Sequence, residues 1–417
     1  MFYGWYIVAA GVLLNAYNSA INNYGFTAFI DPIAATFGWS YAQISLATSL
    51  RGIETGALNP LMGFMVDRYP AKRLALFGVC ILGLGYFCFS RVTNLTMFYV
   101  SFLIMGFGGS LGISMVPQAS VARWFKKDLG KASGVLFMGN GLGGALIPLL
   151  VYSIDTYGWQ TSVIYIAIGF LILGIPLCFV FRHSPEQYGL LPDGKEKDET
   201  RAPSSQKTGF DGMELGQAMK MRAFWHLVIG IMIQMGVWVA YSIHLMPYFA
   251  SLGLKRSVGS MTTTAIPLVS LATRFPFGWL SDIFDKRYVL ALAVALVSVT
   301  LFLFWLIDGS SFSLIVIFII VAGIAAGGLM PIRIPIYREY FGIKNFGKIY
   351  GLGNLSVILG SVTGPPLAGW VYDRYGVYDP IWLILSGVGL IGVIVILTMP
   401  SAENLKTDTI TGKKTIL

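Results

Sequence analysis

The stretch Leu271–Arg287, LATRFPFGWLSDIFDKR, sets an arginine inside an apolar run and then closes the run with Asp282, Asp285, Lys286 and Arg287. Eight residues separate Arg274 from Asp282, roughly 12 Å of helix at about 1.5 Å per residue. With Asp282 at a membrane surface, Arg274 lies near the middle of a hydrocarbon layer about 30 Å thick. A charge at that depth is expensive and points to function. A guanidinium matches a carboxylate bidentately and stays ionised, so Arg274 is a candidate anion anchor. The competing expectation is a structural arginine paired with a carboxylate or with backbone carbonyls.

Other polar residues interrupt the apolar runs. Arg51 and Glu54 lie three residues apart and so share a helix face. They form either an internal ion pair or a proton site in which Arg51 and hydration set the charge of Glu54. Arg333 precedes Arg338 by five residues, which places it nearer a membrane surface, as a gating or cavity-lining charge or as a snorkelling side chain. His244 is a further proton-coupling candidate or a satisfied interfacial histidine. Asn15, Asn18 and Asn22, with Asn23 alongside, follow helical spacing, as do Gln234, Trp238 and Tyr241; Gln118, Asn140 and Asn354 are isolated amides. Single amides in a span serve as interhelical glue as readily as they bind a ligand.

Such residues must be held by membrane-spanning helices. Of 417 residues, 55% are hydrophobic and only 12% charged, against about 25% charged in an average soluble domain; mean hydropathy is +0.70. The net charge of +9 sits in short loops between apolar runs, which reads as an orientation signal and not as a nucleic-acid patch. Cys80, Cys88 and Cys178 lie within apolar runs and make neither a disulfide framework nor a metal site. No cleavable signal is expected before the first span.

Runs of spanning length fall at 5–30, 41–66, 73–90, 95–122, 132–154 and 160–181, and again at 223–250, 259–281, 288–307, 312–337, 348–372 and 381–399. The expected fold is an all-α membrane protein of twelve transmembrane helices. It divides into a six-helix bundle over 1–182, a cytoplasmic linker over 183–222, a second six-helix bundle over 223–403 and a cytoplasmic tail over 404–417. The linker centre, KEKDETRAPSSQK, has the composition of a flexible segment. With both termini cytoplasmic, only Arg91, Lys255, Arg256 and Arg374 fall in outer loops and only Arg51, Arg274 and Arg333 within spans. The remaining 22 of 29 basic residues are then cytoplasmic, which favours that orientation.

The two halves repeat. Gly63–Arg73, GFMVDRYPAKR, is echoed 215 residues later around Gly278 and Asp282; Trp124-Phe125 with Gly130-Lys131 is echoed by Tyr340-Phe341 with Gly347-Lys348; Asp155-Thr-Tyr-Gly158 is echoed by Asp373-Arg-Tyr-Gly376. Parallel halves of six helices, with a substrate site near the midplane, are the architecture of major-facilitator transporters. Gly63-Phe-Met-Val-Asp67-Arg68 followed by Lys72-Arg73 resembles the loop signature of that superfamily. Gly4–Gly11, GWYIVAAG, and Arg274 resemble the monocarboxylate transporter and oxalate–formate exchanger group.

The resemblance implies a pseudo-symmetric major facilitator fold whose central cavity is lined by the helices bearing the amides above, with Arg274 binding a substrate carboxylate. In physical terms Gly63 and Gly278 allow close helix approach. Asp67 and Asp282 accept from helix N-termini or basic groups, so with Arg68 and Arg333 they form the gating set. The chain departs from the family at three places. Gly353–Val357 has no cation where the exchangers carry one, Ser270 replaces an aspartate of animal monocarboxylate carriers, and helix 1 has asparagines where those carriers have a lysine. A monoanion is therefore expected over a dianion.

Two motif matches read as packing. Gly139-Asn-Gly141-Leu-Gly143-Gly144 fits a dinucleotide pattern but lies in an apolar span with no strand before it, and Gly360–Pro365 is a glycine–proline element in helix 11. No phosphate loop, nucleophile elbow or metal spacing is present, so no enzyme, cofactor or metal site is expected. The expected function is secondary transport of small organic monoanions such as lactate, pyruvate or acetate. It would proceed by alternating access with proton coupling, in a monomer in the cell membrane. The alternatives are an exporter of drugs or neutral metabolites, with Arg274 structural, and a membrane sensor or channel.

Overall fold

The computed structural model describes residues 2–194, 212–309 and 311–402. Residues 195–211 of the linker, the tail over 404–417 and the side chain of Asn23 lie outside the described residues. The long elements are all helices. Helix α1 occupies 4–37, with a π-helical turn Ala20–Gly25 between Gly4–Ser19 and Thr27–Phe37. It is followed by α2 (Tyr41–Arg68), α3 (Ala71–Ser90), α4 (Leu95–Trp124), α5 (Leu129–Tyr157) and α6 (Trp159–Val180). The second set is α7 (Arg222–Ser251), α8 (Arg256–Ile283), α9 (Lys286–Leu306), α10 (Phe312–Phe341), α11 (346–375) and α12 (Asp379–Leu397).

Local chemistry sets several ends. Ser40 and Gln43 form a reciprocal capping box at the start of α2. Asn94 Oδ1 accepts from Met97 N–H (2.9 Å) to start α4. Gly38 and Gly376, both left-handed, terminate α1 and α11. Helix α4 contains a π-helical turn at Ser110–Met115, and α10 is interrupted at the corresponding place of the repeat, over 330–332.

Contacts group the chain into two units. Met1–Thr208 with Asn345–Gly351 forms the first, and Gly209–Lys344 with Leu352–Leu417 the second. Each repeats one packing scheme. In the first unit α1 packs on α5, α2 on α4, and α3 on α4 and α6; in the second α7 packs on α11, α8 on α10, and α9 on α10 and α12. Without a hydrophobic force between helices in lipid, small residues permit this close approach. A Cβ on Gly139 would stand 2.5 Å from Val12 O, and one on Gly360 would overlap Met232 O. The glycine runs of α5 and α11 are therefore packing seams at equivalent places.

By length and composition, eight helices among the described residues can cross a membrane; α1, α2, α8 and α11 are not in that group. Helices α2, α8 and α11 carry charge, including Arg51 and Glu54, Arg274 and Asp282, and Lys348 and Arg374, while α1 is divided by its π-helical turn.

The ends of the linker are docked, each within its own unit, while its charged centre lies outside the described residues. Trp124 Nε1 donates to Arg182 O (3.1 Å), the Arg182 guanidinium lies over Tyr3 and Tyr188 (3.9 and 4.1 Å), and Asp193 accepts from the backbones of Lys126 and Lys127. On the other side Met213 N–H donates to Phe341 O (3.1 Å). These contacts use aromatic faces and backbone groups, which charge content does not report.

Because the seam of α1 and α5 closes on Val12, Gly139→Leu is expected to destabilise the protein by about 1–3 kcal/mol through overpacking. A thermal midpoint in detergent equal to that of wild type would contradict this.

Candidate functional site

In the first unit, Arg51 of α2 donates to Asn22 Oδ1, and Asn22 Nδ2 donates to Asn18 Oδ1 (2.7 Å). The π-helical turn of α1 carries Asn22, and π-helical turns recur at functional sites because they redirect side chains from the regular helical face. Across from them, Ser110 of the α4 π-helical turn donates to Thr55 Oγ1 (3.1 Å), and Gln118 Nε2 donates to Ser114 Oγ (3.0 Å). Asn18, Asn22, Arg51, Thr55, Ser110 and Ser114 line a cavity of about 270 Å³.

Arg51 and Glu54 share a face but do not form the ion pair weighed from their spacing. Among the described residues no carboxylate oxygen lies within 4 Å of the Arg51 guanidinium. Glu54 Oε2 is buried without a hydrogen-bond partner among those residues. Gly106 of α4 leaves room for both: a Cβ there would collide with Glu54 Oε2 and lie 2.6 Å from Arg51 Cγ.

A second constellation surrounds Asp67 at the end of α2. Its carboxylate accepts from Gly347 N–H and Lys348 N–H (both 2.9 Å), the first turn of α11. Arg123 Nη2 lies 3.4 Å from Asp67 Oδ1 and donates to Val66 O (2.8 Å). Gly63 meets the backbone of Gly347 so closely that a Cβ would overlap its carbonyl oxygen. Arg68 stands apart, exposed, with its guanidinium 6.0 Å from the Phe64 ring. In the second unit Gly278 is buried, Asp282 is half-buried, and Lys286 forms an ion pair with Glu339 (2.7 Å).

The second unit places the remaining candidates differently. Arg274 is half-buried on α8, near the seam where Thr273 Oγ1 lies 3.4 Å from Gly323 O of α10. Arg333 follows the interruption of α10 and is 5% exposed, an environment unlike a snorkelling side chain; its Nη1 contacts Met330 Sδ (3.7 Å). Tyr241 is 1% exposed and packs edge-on to Trp238, Phe304 and Phe318. It packs in the aromatic core of the second unit, and Gln234 is likewise buried. Trp238, Asn15, Asn140 and Asn354 are half-buried. His244 is held at both nitrogens, by Tyr378 Oη and Pro365 O (each 3.1 Å), as expected of a satisfied structural histidine.

The spacing of Thr55 four residues after Arg51, and of Ser114 four after Ser110, carried the signal for the cavity wall. Sequence reasoning missed these residues because serine and threonine are common in membrane helices.

The chain matches the Major Facilitator Superfamily over residues 8–273 and 245–415 and belongs to it. Human monocarboxylate transporter 11 is 23% identical over 409 residues, 96% of this chain and 83% of that protein. The MFS-type transporter hasB of Aspergillus fumigatus is 26% identical over 353 residues, 80% of this chain and 74% of that protein. Among solved structures, the transporter FucP in its outward conformation gives a TM-score of 0.70 at 15% identity over 95% of this chain and 99% of that one. An outward-facing bacterial homologue of the iron transporter ferroportin gives 0.73 at 13% over 96% and 99%. The chain therefore has the major facilitator fold and is a multi-pass membrane transporter of a small substrate, not an enzyme.

Next to Asp67, Arg123 Nη1 lies 3.2 Å from His183 Nδ1. An arginine can only donate, so Nδ1 must accept, which requires a neutral imidazole. Burial pushes the His183 pKa down to about 4, with Arg123 acting in the same direction and Glu186 against it. An unfolded histidine titrates near 6.5, so the unfolded state binds more protons between about pH 6.5 and 4. Folded-state stability is thus expected to fall as pH falls across that window. His183→Gln should flatten the slope of thermal midpoint against pH; an equal slope in the variant would exclude the assignment.

Proposed function

We propose that this protein is a secondary transporter of small organic monoanions, working by alternating access and coupled to protons, in the cell membrane with both termini cytoplasmic. The observation that carries the reading is the Arg51 guanidinium, which lines a polar cavity within an apolar bundle and is held by an amide with no carboxylate within 4 Å among the described residues. A carboxylate leaving water needs a fixed positive partner to offset desolvation. Arg274, half-buried on α8 of the second unit, is the residue that the likeness to monocarboxylate transporters favours as an anion anchor. Glu54, beside the Arg51 stem across Gly106, is the group that carries the coupled proton.

The test is uptake of labelled lactate, pyruvate and acetate into proteoliposomes, with and without a proton gradient. Charged hydrogen bonds contribute about 1.5–3 kcal/mol, so Arg274→Gln should weaken affinity roughly 10- to 150-fold. Arg274→Lys should be impaired less, since it keeps charge and loses the fork. Wild-type affinity in Arg274→Gln would favour an exporter of neutral compounds. Glu54→Gln should abolish gradient-driven accumulation and spare exchange; intact accumulation would remove the proton role.

Asp67 completes the proposal as a latch, because its carboxylate caps the first turn of α11. Asp67→Asn should raise accessibility from the cytoplasmic face, read by labelling of single cysteines placed along α2. Unchanged labelling would count against the latch.

A further inference from the structure

We propose that the Arg51 cavity of the first unit is a binding subsite for a polyhydroxylated carboxylate of three or four carbons, an inference that rests on the anion-transport reading. Its wall offers more than a cation. Asn22 spends its carbonyl on Arg51 and its amide on Asn18, so the guanidinium is positioned before any ligand arrives. The Asn18 amide N–H groups remain as donors.

The hydroxyls opposite are half-used. Ser110 gives its proton to Thr55, which leaves the Thr55 proton and acceptor capacity on both oxygens. Ser114 accepts from Gln118 and keeps its own proton to give. A carboxylate can only accept, so it satisfies Arg51 and Asn18 and leaves the acceptors at Ser110 and Thr55 unmatched. A ligand hydroxyl both donates and accepts, and so matches that wall. An alkyl acid of equal charge would desolvate these groups without replacing their bonds, which is how a polar site rejects an analogue lacking a hydroxyl.

Size agrees with this chemistry. A cavity of about 270 Å³ has room for an acid of the size of glycerate or erythronate. The π-helical turns of α1 and α4 present Asn22, Ser110 and Ser114 to one space. The same polar groups would be an unrewarded burden in a site for short alkyl acids.

The experiment measures dissociation constants of the purified full chain by calorimetry for two matched pairs, glycerate with propionate and erythronate with butyrate. Each pair shares a carbon skeleton and a charge. Glycerate and erythronate are expected to bind at least about tenfold tighter than their partners. Ser110→Ala and Thr55→Val should each lower that ratio about three- to tenfold, and Arg51→Gln should weaken all four acids about tenfold or more. Arg51→Lys, which keeps the charge, should retain the preference for hydroxylated acids. Equal affinities within each pair in wild type, or a ratio unmoved by both hydroxyl variants, would overturn the subsite while leaving monoanion transport standing. Failure of all four acids to bind a folded wild-type chain would overturn both.

Discussion

A guanidinium inside a hydrocarbon layer must be held by something, and here Arg51 is held by an asparagine. Had Glu54 closed on Arg51, the charges would have cancelled and the cavity would face a substrate with a neutral wall. The amide instead accepts a hydrogen bond without neutralising the cation, so positive charge stays available in a low-dielectric setting where it acts strongly. Asn18 orients Asn22 in turn. The local geometry of α1 follows from this: the π-helical turn Ala20–Gly25 carries the amide that meets α2.

The rest of the fold supplies rigidity around that cation. Apolar helices such as α3, α6, α9 and α12 make the repeated scaffold, while α2, α8 and α11 bear the charges that lower their suitability as lipid-facing spans. The glycine seams at Gly139 and Gly360 let α5 and α11 approach α1 and α7 closely enough for dispersion to replace the missing hydrophobic force. Asp67 adds a directional element: two backbone N–H groups at a helix start meet one carboxylate, and Arg123 braces it from the other side.

Eight of the spans, the twofold repeat of six helices and the glycine–aspartate loop were legible because hydropathy and spacing report them directly, while α1, α2, α8 and α11 are interrupted by charge or by a π-helical turn. Arg51, Asn18 and Asn22 were legible as polar interruptions, but their partnership was not: helical spacing pairs Arg51 with Glu54, whereas the π-helical turn brings Asn22 within reach. The spacing of Tyr241 from Trp238 marks a helix face without saying what that face meets; Tyr241 packs against Phe304 and Phe318. The docking of Arg182 between two tyrosine rings depends on aromatic faces, which charge and hydropathy do not report.

If fixed guanidinium charge selects the substrate, charge and not shape must dominate recognition. Calorimetric binding of lactate and of its uncharged isostere lactamide to the purified wild-type protein separates the two. A guanidinium anchor predicts that the acid binds and that the amide binds about tenfold weaker or not at all. Equal affinity for the two compounds, or tighter binding of the amide, would contradict it.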